Sequence, residues 1–175
     1  MTGDGRYPAA MHIAIASDHA GYELKEHLAK VVAGAGHAVT DLGTHSIEPV
    51  DYPEYAAAVS RAVVTGRVER GIVVCGSGAG AAIAANKVRG IRAAVAHDTY
   101  TAHQCVEHDD TNVLSLGSRV IGEQLAEEVV RAFLEARFSG GERHVRRLAK
   151  IAALEAEASG GQPPGTGPEP PAGAV

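Results

Sequence analysis

Val73-Val74-Cys75-Gly76-Ser77-Gly78-Ala79-Gly80 decides how the rest of this 175-residue chain is read. The apolar run Gly71 to Val74 has the composition of a strand buried on both faces. It ends in a cysteine, and glycines then lead straight into the helix-like stretch Ala81 to Val88. A thiol at the carboxyl end of a strand, beside the N–H groups that open a helix, sits in a field that favours anions. The same N–H groups suit a developing oxyanion. Taken alone, the segment fits three readings: a structural turn with a buried cysteine, a dinucleotide loop, or a catalytic loop. Gly76-x-Gly78-x-x-Ala81 matches the loose dinucleotide fingerprint, with Asp98 at a suitable distance downstream. A Walker loop is excluded, because no Gly-Lys-Ser/Thr follows.

Working outward, strands alternate with helices. Strands are expected at His12–Ala16, His37–Leu42, Ile72–Cys75, Ile91–Ala96 and Asn112–Leu116. Between and after them lie helical patterns at Tyr22–Val32, Pro53–Val64, Ala81–Val88, Thr99–Glu107 and Gly122–Ala136. Leu24, Leu28 and Val31 share one helical face, and Pro53 occupies a tolerated first-turn position. A last helix, Glu142–Ala158, carries Val145, Leu148, Ile151 and Leu154 among Arg and Glu. This alternation predicts a three-layer α/β fold: a five-stranded, parallel, doubly wound (Rossmann-like) sheet with helices on both faces. The folded domain is expected over residues 11–158. Residues 1–10 read as a flexible extension and the Gly/Pro-rich 159–175 as a disordered tail, because neither has the apolar side chains to offset its ordering entropy.

Composition removes several function classes. Net charge is −5, aromatics are 4% and Trp is absent, so neither the basic footprint nor the stacking platform of a nucleic-acid binder is present. An anionic ligand would need a local cluster of Arg and His. Cys75 and Cys105, the 2 cysteines, form no disulfide framework and no zinc-ligand spacing, which points to reduced thiols and a cytoplasmic protein. Thr2 to Ala10 lacks the apolar core of a signal peptide, and no stretch approaches membrane-spanning length, so no membrane partner is expected.

In doubly wound sheets ligands bind beyond the carboxyl ends of the strands. Those ends offer Ser17-Asp18-His19, the segment from Gly43 to Tyr52, Cys75 with its glycines, His97-Asp98, and Gly117-Ser118-Arg119. Each has a plainer reading. Asp18 can cap the helix that begins near Gly21. His19 can be a loop residue, and His108 a solvated helix end within the acidic run from Glu107 to Asp110. Arg143, Arg146 and Arg147 can be the wet face of an amphipathic helix, although Arg143 and Arg147, one turn apart, can also address one anion. His97, His103, Cys105 and His108 match no common metal-site spacing.

At this point the chain resembles the type B ribose-5-phosphate isomerases, grouped with galactose-6-phosphate isomerases. The resemblance is carried by Ala16-Ser17-Asp18-His19-Ala20-Gly21, Asp51-Tyr52-Pro53, Cys75-Gly76-Ser77-Gly78-Ala79-Gly80 and Ile83-Ala84-Ala85-Asn86-Lys87. It continues through Gly90-Ile91-Arg92-Ala93, His108-Asp109-Asp110-Thr111-Asn112, Gly117-Ser118-Arg119 and Arg143-His144-Val145-Arg146-Arg147. These stretches keep family order from about Met11 to Leu154. The resemblance implies isomerisation of an aldose phosphate to a ketose phosphate through a cis-enediolate, with no metal and no organic cofactor. It implies that Cys75 is the base moving a proton between C2 and C1, and that Gly76, Ser77, Gly78, Ala79 and Gly80 cradle the enediolate. Ser77 would help shuttle protons between sugar oxygens, and His108 would open the furanose ring. Asp18, His19 and Asp109 would contact substrate, with His19 toward the phosphate. Arg119, Arg143 and Arg147 would bind phosphate in a homodimer or homotetramer with shared sites.

The chemistry agrees with that set. A proton alpha to a carbonyl is weakly acidic, so a base helps only where the enediolate is stabilised as it forms, as fixed backbone N–H donors do. Ring opening needs an acid/base group near neutrality, for which histidine is suited. A phosphate dianion suits arginine. The dinucleotide reading explains none of these partners. In two places the chain bears on the family pattern. Asp109 stands where the family usually has Asn, so an ionised side chain there accepts hydrogen bonds and donates none. Ala79 stands where a branch lacking the thiol has a carboxylate base, which places this chain in the thiol branch. The expected substrate is ribose 5-phosphate, with ribulose 5-phosphate as product. The alternatives are a six-carbon aldose 6-phosphate of galactose or allose type, or phosphosugar binding without turnover.

Overall fold

The computed structural model describes residues Ala10–Gly160. Its elements are β1 (His12–Ser17), α1 (Tyr22–Gly34), β2 (Ala38–Asp41), α2 (Tyr52–Val64), β3 (Arg70–Cys75) and α3 (Ala79–Ala85). They continue with β4 (Ala93–Val95), α4 (Thr99–Asp109), β5 (Val113–Gly117), α5 (Glu123–Glu135) and α6 (Glu142–Gly160). The five strands pair in the order β2-β1-β3-β5-β4, every pair parallel. The expected α/β architecture is therefore the observed one. The sheet and its helices, through Gly140, form one compact unit, and α6 belongs to a second.

Period-two alternation along β1 sends Ile13 and Ile15 to one face and Ala14 and Ala16 to the other. The larger face packs on α1, α4 and α5 through Leu28, Val106, Val129 and Phe133. The smaller face meets α2 and α3 through Ala56, Val59, Ala81 and Ala85. Alanine on both sides of that second interface lets the helices approach the sheet closely. One charge is buried in this frame without a sequence signal: Lys25 on α1 is 0% exposed, its Nζ 2.5 Å from Asp41 Oδ2 and 2.6 Å from Glu26 Oε1. Its ammonium also lies 5.4 Å from the centre of the Tyr22 ring.

Several boundaries differ from the sequence reading for local reasons. Helix α3 starts at Ala79 and stops at Ala85, short of Val88. Asn86 ends it by turning to β4, donating from Nδ2 to the Ala93 carbonyl (2.9 Å) and accepting from the Ala93 N–H (2.8 Å). Strand β4 is trimmed at its start because the Arg92 N–H is taken by the Asn112 side chain at 2.9 Å. Helix α4 runs through His108 to Asp109 and closes on Asp110 in the left-handed conformation, φ 48°. Helix α6 continues to Gly160, so residues 159 and 160, expected in the tail, are helical. The rest of that tail and residues 1–9 lie outside the described residues.

Chain direction across the sheet reverses between β1 and β3. One excursion goes out to β2, and the chain then returns past β1 to β3, β5 and β4. Such a reversal leaves a crevice at the carboxyl ends of the two strands. Ser17 is in register with Val74 and the Asp18 N–H donates to the Val74 carbonyl, so Asp18 and Cys75 flank that crevice.

Candidate active site

At the crevice, Asp18, Tyr52, Cys75, Gly76, Ser77, Gly80, Arg119 and Val120 line a cavity of about 360 Å³. That is within the usual range for a small-molecule site. A larger hollow of about 450 Å³ lies between α1 and α5, lined by Val31, Gly34, Ala35, His37, Arg131, Leu134 and Glu135. It has more volume but no thiol or hydroxyl among its lining side chains.

Cys75 closes β3 and is 4% exposed. The Gly78 N–H donates to its Sγ at 3.2 Å. Gly78 can aim this N–H because its φ is +82°, and an added Cβ would lie 3.0 Å from the Leu116 carbonyl carbon. The Ala79 N–H donates to Ser77 Oγ at 3.3 Å, which folds the Ser77 side chain back over the loop. Strand β5 and the two residues that follow it then fix the loop from the far side. Ser118 N–H donates to the Cys75 carbonyl (2.9 Å), Arg119 N–H to the Gly76 carbonyl (3.0 Å) and Ser115 Oγ to the Gly78 carbonyl (2.6 Å). Helix α3 has only seven residues, so the donor that reaches the sulfur is this loop amide, not a long helix macrodipole.

Asp18 is 7% exposed, and its Oδ1 accepts from the Gly21 N–H at 3.0 Å. Gly21 is itself the N-cap of α1, with no side-chain cap, so Asp18 braces the turn before the helix and does not cap it. His19 Nδ1 accepts from the Val50 N–H at 3.2 Å, tying β1 to the loop after β2. The same Nδ1 lies 3.3 Å from the Val50 carbonyl oxygen, so either tautomer keeps the ring on Val50. Arg119 lies across Gly76, and a Cβ added there would sit 3.6 Å from its Nε.

Two lining residues were absent from the sequence-derived site set. Val120 follows directly on Arg119. Tyr52 packs so closely on α3 that a Cβ on Gly80 would fall 2.7 Å from its Cζ. Its position after the second strand was a usable signal. Its packing against Gly80 was not, because that contact joins two helices on one face of the sheet.

His108 and Asp109 are placed elsewhere. Helix α4 leaves the carboxyl end of β4 and runs back, so its last turn lies at the amino ends of the strands. Arg92, just before β4, donates from Nε to the carbonyls of Asp109 (3.1 Å) and Asp110 (2.8 Å). Gly71, near the start of β3, donates to the Asn112 carbonyl. From Gly71 to Cys75 the strand covers about 13 Å. Within one chain, His108 and Cys75 thus belong to opposite edges of the sheet. Arg143 and Arg147 lie one turn apart on α6, and Arg143 Nε is 2.8 Å from His144 Nε2.

His97 Nε2 accepts from the Gly117 N–H at 2.9 Å. Asp98 caps α4 by accepting from the Thr101 N–H at 2.7 Å, and that bond holds its carboxyl below the ordinary value. Cys105 is buried in α4; burial, above all, pushes its thiol up, and it donates to the Ala102 carbonyl. Among the described residues no group of three or more His, Cys, Asp or Glu is placed to hold a metal ion.

Comparison with known proteins places the chain in a family. The model of the Ribose/Galactose Isomerase family matches residues 13–151. Ribose-5-phosphate isomerase B of Escherichia coli is 47% identical over 143 residues, covering 82% of this chain and 95% of that protein. The D-erythrulose-4-phosphate isomerase of Pectobacterium atrosepticum is 42% identical over 135 residues, covering 75% and 87%. The solved structure of Clostridium thermocellum ribose-5-phosphate isomerase B superposes with a TM-score of 0.83 at 49% identity, covering 85% of this chain and 99% of that one. A strand-end thiol in a glycine loop, an arginine beside it and matches along nearly all of the sheet domain converge on one conclusion: the chain belongs to the ribose/galactose isomerase family.

Proposed function

We propose that the protein interconverts ribose 5-phosphate and ribulose 5-phosphate. The observation that carries this reading is Cys75 Sγ, held at 3.2 Å by the Gly78 N–H in a cavity that Arg119 also lines. The open-chain sugar lies along the β1–β3 crevice. Cys75 removes the C2 proton as thiolate, and the electron pair moves onto the carbonyl oxygen to form the cis-enediolate. Backbone N–H groups of the Gly76–Gly80 loop other than those held by Cys75 Sγ and Ser77 Oγ meet the developing oxyanion. Ser77 relays a proton between the two sugar oxygens, and the Cys75 thiol returns its proton at C1. Asp18 orients sugar hydroxyls, while His19 and Arg119 bind the phosphate, to which the family resemblance adds Arg143 and Arg147.

Ring opening is assigned to His108 of the partner subunit, with the partner's Asp109 beside it. One chain keeps these residues an entire strand length from its own Cys75, so a homodimer, or a tetramer built from it, completes each site. Among the described residues no helix is long and apolar enough to cross a membrane. Free Cys75 and Cys105 suit a reducing cytoplasm.

The test is production of ribulose 5-phosphate from ribose 5-phosphate, with tetrose and hexose phosphates assayed in parallel. Cys75→Ala is expected to lower turnover by a factor on the order of 10³. Binding of ribose 5-phosphate without turnover in the parent protein would overturn the reading, and a higher kcat/KM on a hexose phosphate would move the substrate to six carbons.

A further inference from the structure

Ser115 is fully buried in the middle of β5, and no motif singled it out. Along β5 its side chain has the parity of Val113, facing α3, while Leu114 and Leu116 face the opposite core. Its Oγ donates to the Gly78 carbonyl at 2.6 Å. That carbonyl also accepts the Ala82 N–H at 3.1 Å, so both of its lone pairs are engaged. Gly78 has no Cβ to restrict it and sits at φ +82°. Its orientation therefore depends on what holds its two ends. One end is the carbonyl locked by Ser115 and Ala82; the other is the N–H aimed at Cys75 Sγ.

We infer that Ser115 is a positioning residue for the isomerisation, fixing the Gly78 peptides so that one N–H stays on the Cys75 sulfur and the next stays on Ser77 Oγ. The two effects travel through separate peptide groups. Fixing the Gly78 carbonyl restricts rotation about Gly78 and so keeps its own N–H directed at Sγ. Donation to that carbonyl also polarises the Gly78–Ala79 peptide, which strengthens the Ala79 N–H as the donor that holds Ser77 Oγ. A hydroxyl is needed for this; an apolar group of similar size fills the space but leaves the carbonyl held only by Ala82. The inference rests on reading Cys75 as the base.

The experiment compares Ser115→Ala and Ser115→Thr with the parent in two assays. The first is kcat and KM on ribose 5-phosphate. The second is the rate at which iodoacetamide modifies Cys75 at fixed neutral pH, followed by peptide mass spectrometry with Cys105 as internal reference. Ser115→Ala is expected to lower kcat about tenfold, with KM within about twofold, as loss of one hydrogen bond felt mainly in the transition state would do. Cys75 modification should slow several-fold (about three- to tenfold) while Cys105 is unchanged, and Ser115→Thr should restore both values. Parental kcat and Cys75 reactivity in Ser115→Ala would overturn the inference. So would equal losses in the Ala and Thr variants, or parallel changes at Cys75 and Cys105, since those mark altered packing. Failure of the underlying reading is distinguishable: Cys75→Ala would then keep its turnover, while the modification rates would still report whether Ser115 governs the loop.

Discussion

The two edges of the sheet use arginine in opposite ways. At the amino edge, Arg70 donates to the carbonyls of Phe133 and Ala136 at the end of α5, and its guanidinium stacks 5.1 Å from the Phe133 ring centre. Arg92 likewise donates to the carbonyls of Asp109 and Asp110 at the end of α4, and pairs with the Asp110 carboxylate at 2.7 Å. These side chains answer the unsatisfied, partly negative carbonyls where helices finish. At the carboxyl edge the backbone presents N–H groups, and Arg119 lines a cavity. Parallel strands with returning helices impose this polarity. One edge consumes cations internally, and the other is free to receive an anion.

Hybrid oligomers test the division between the two edges most severely. Cys75→Ala and His108→Ala are each expected to be inactive on the cyclic substrate. If the two edges of different chains meet, a mixed dimer holds one site with both lesions and one with none, and should recover about half of the parental activity. Hybrids isolated through two different tags that stay inactive would place both residues in a site within one chain. A smaller effect is expected at Asp109. Asp109→Asn exchanges an acceptor for a side chain that can also donate, and should shift the ratio of kcat/KM between pentose and hexose phosphates by several-fold, about the worth of one hydrogen bond. Complete loss of turnover would show that the carboxylate is itself required. The smallest catalytic effect belongs to Arg70, whose work is internal to the amino edge. Arg70→Met should lower Tm by about 2–8 °C through two lost bonds to carbonyls, with kcat/KM within about twofold of the parent. A large loss of kcat with Tm unchanged would contradict the division between edges.

The alternation of strands and helices was legible because each element carries its own periodicity, and the strand-end rule then gathered Asp18, Cys75, Ser77 and Arg119. Strand order was not legible. Placing β5 between β3 and β4 depends on which crossover covers which face, and no local pattern encodes that. Lys25 was hidden for a similar reason: its position beside Leu24 is read as a polar interruption until Asp41 arrives from β2 to pair with it. Ser115 reads as a small residue in an apolar strand, and acquires meaning only from the Gly78 carbonyl opposite. The separation of His108 from Cys75 was implicit in the fold class. A helix following a strand must return to the amino edge, which puts its last turn far from the crevice.

The Tyr52–Gly80 contact also links the dimensions of the cavity to the packing of its wall. Gly80→Ala would require the phenol ring to move, because the added carbon would otherwise lie well inside van der Waals contact of it. Ring position and helix packing therefore cannot vary separately. The room left for substrate beside Cys75 is thereby set by the same loop that carries the thiol's neighbours, so a single methyl at Gly80 would alter the cavity and the cradle together.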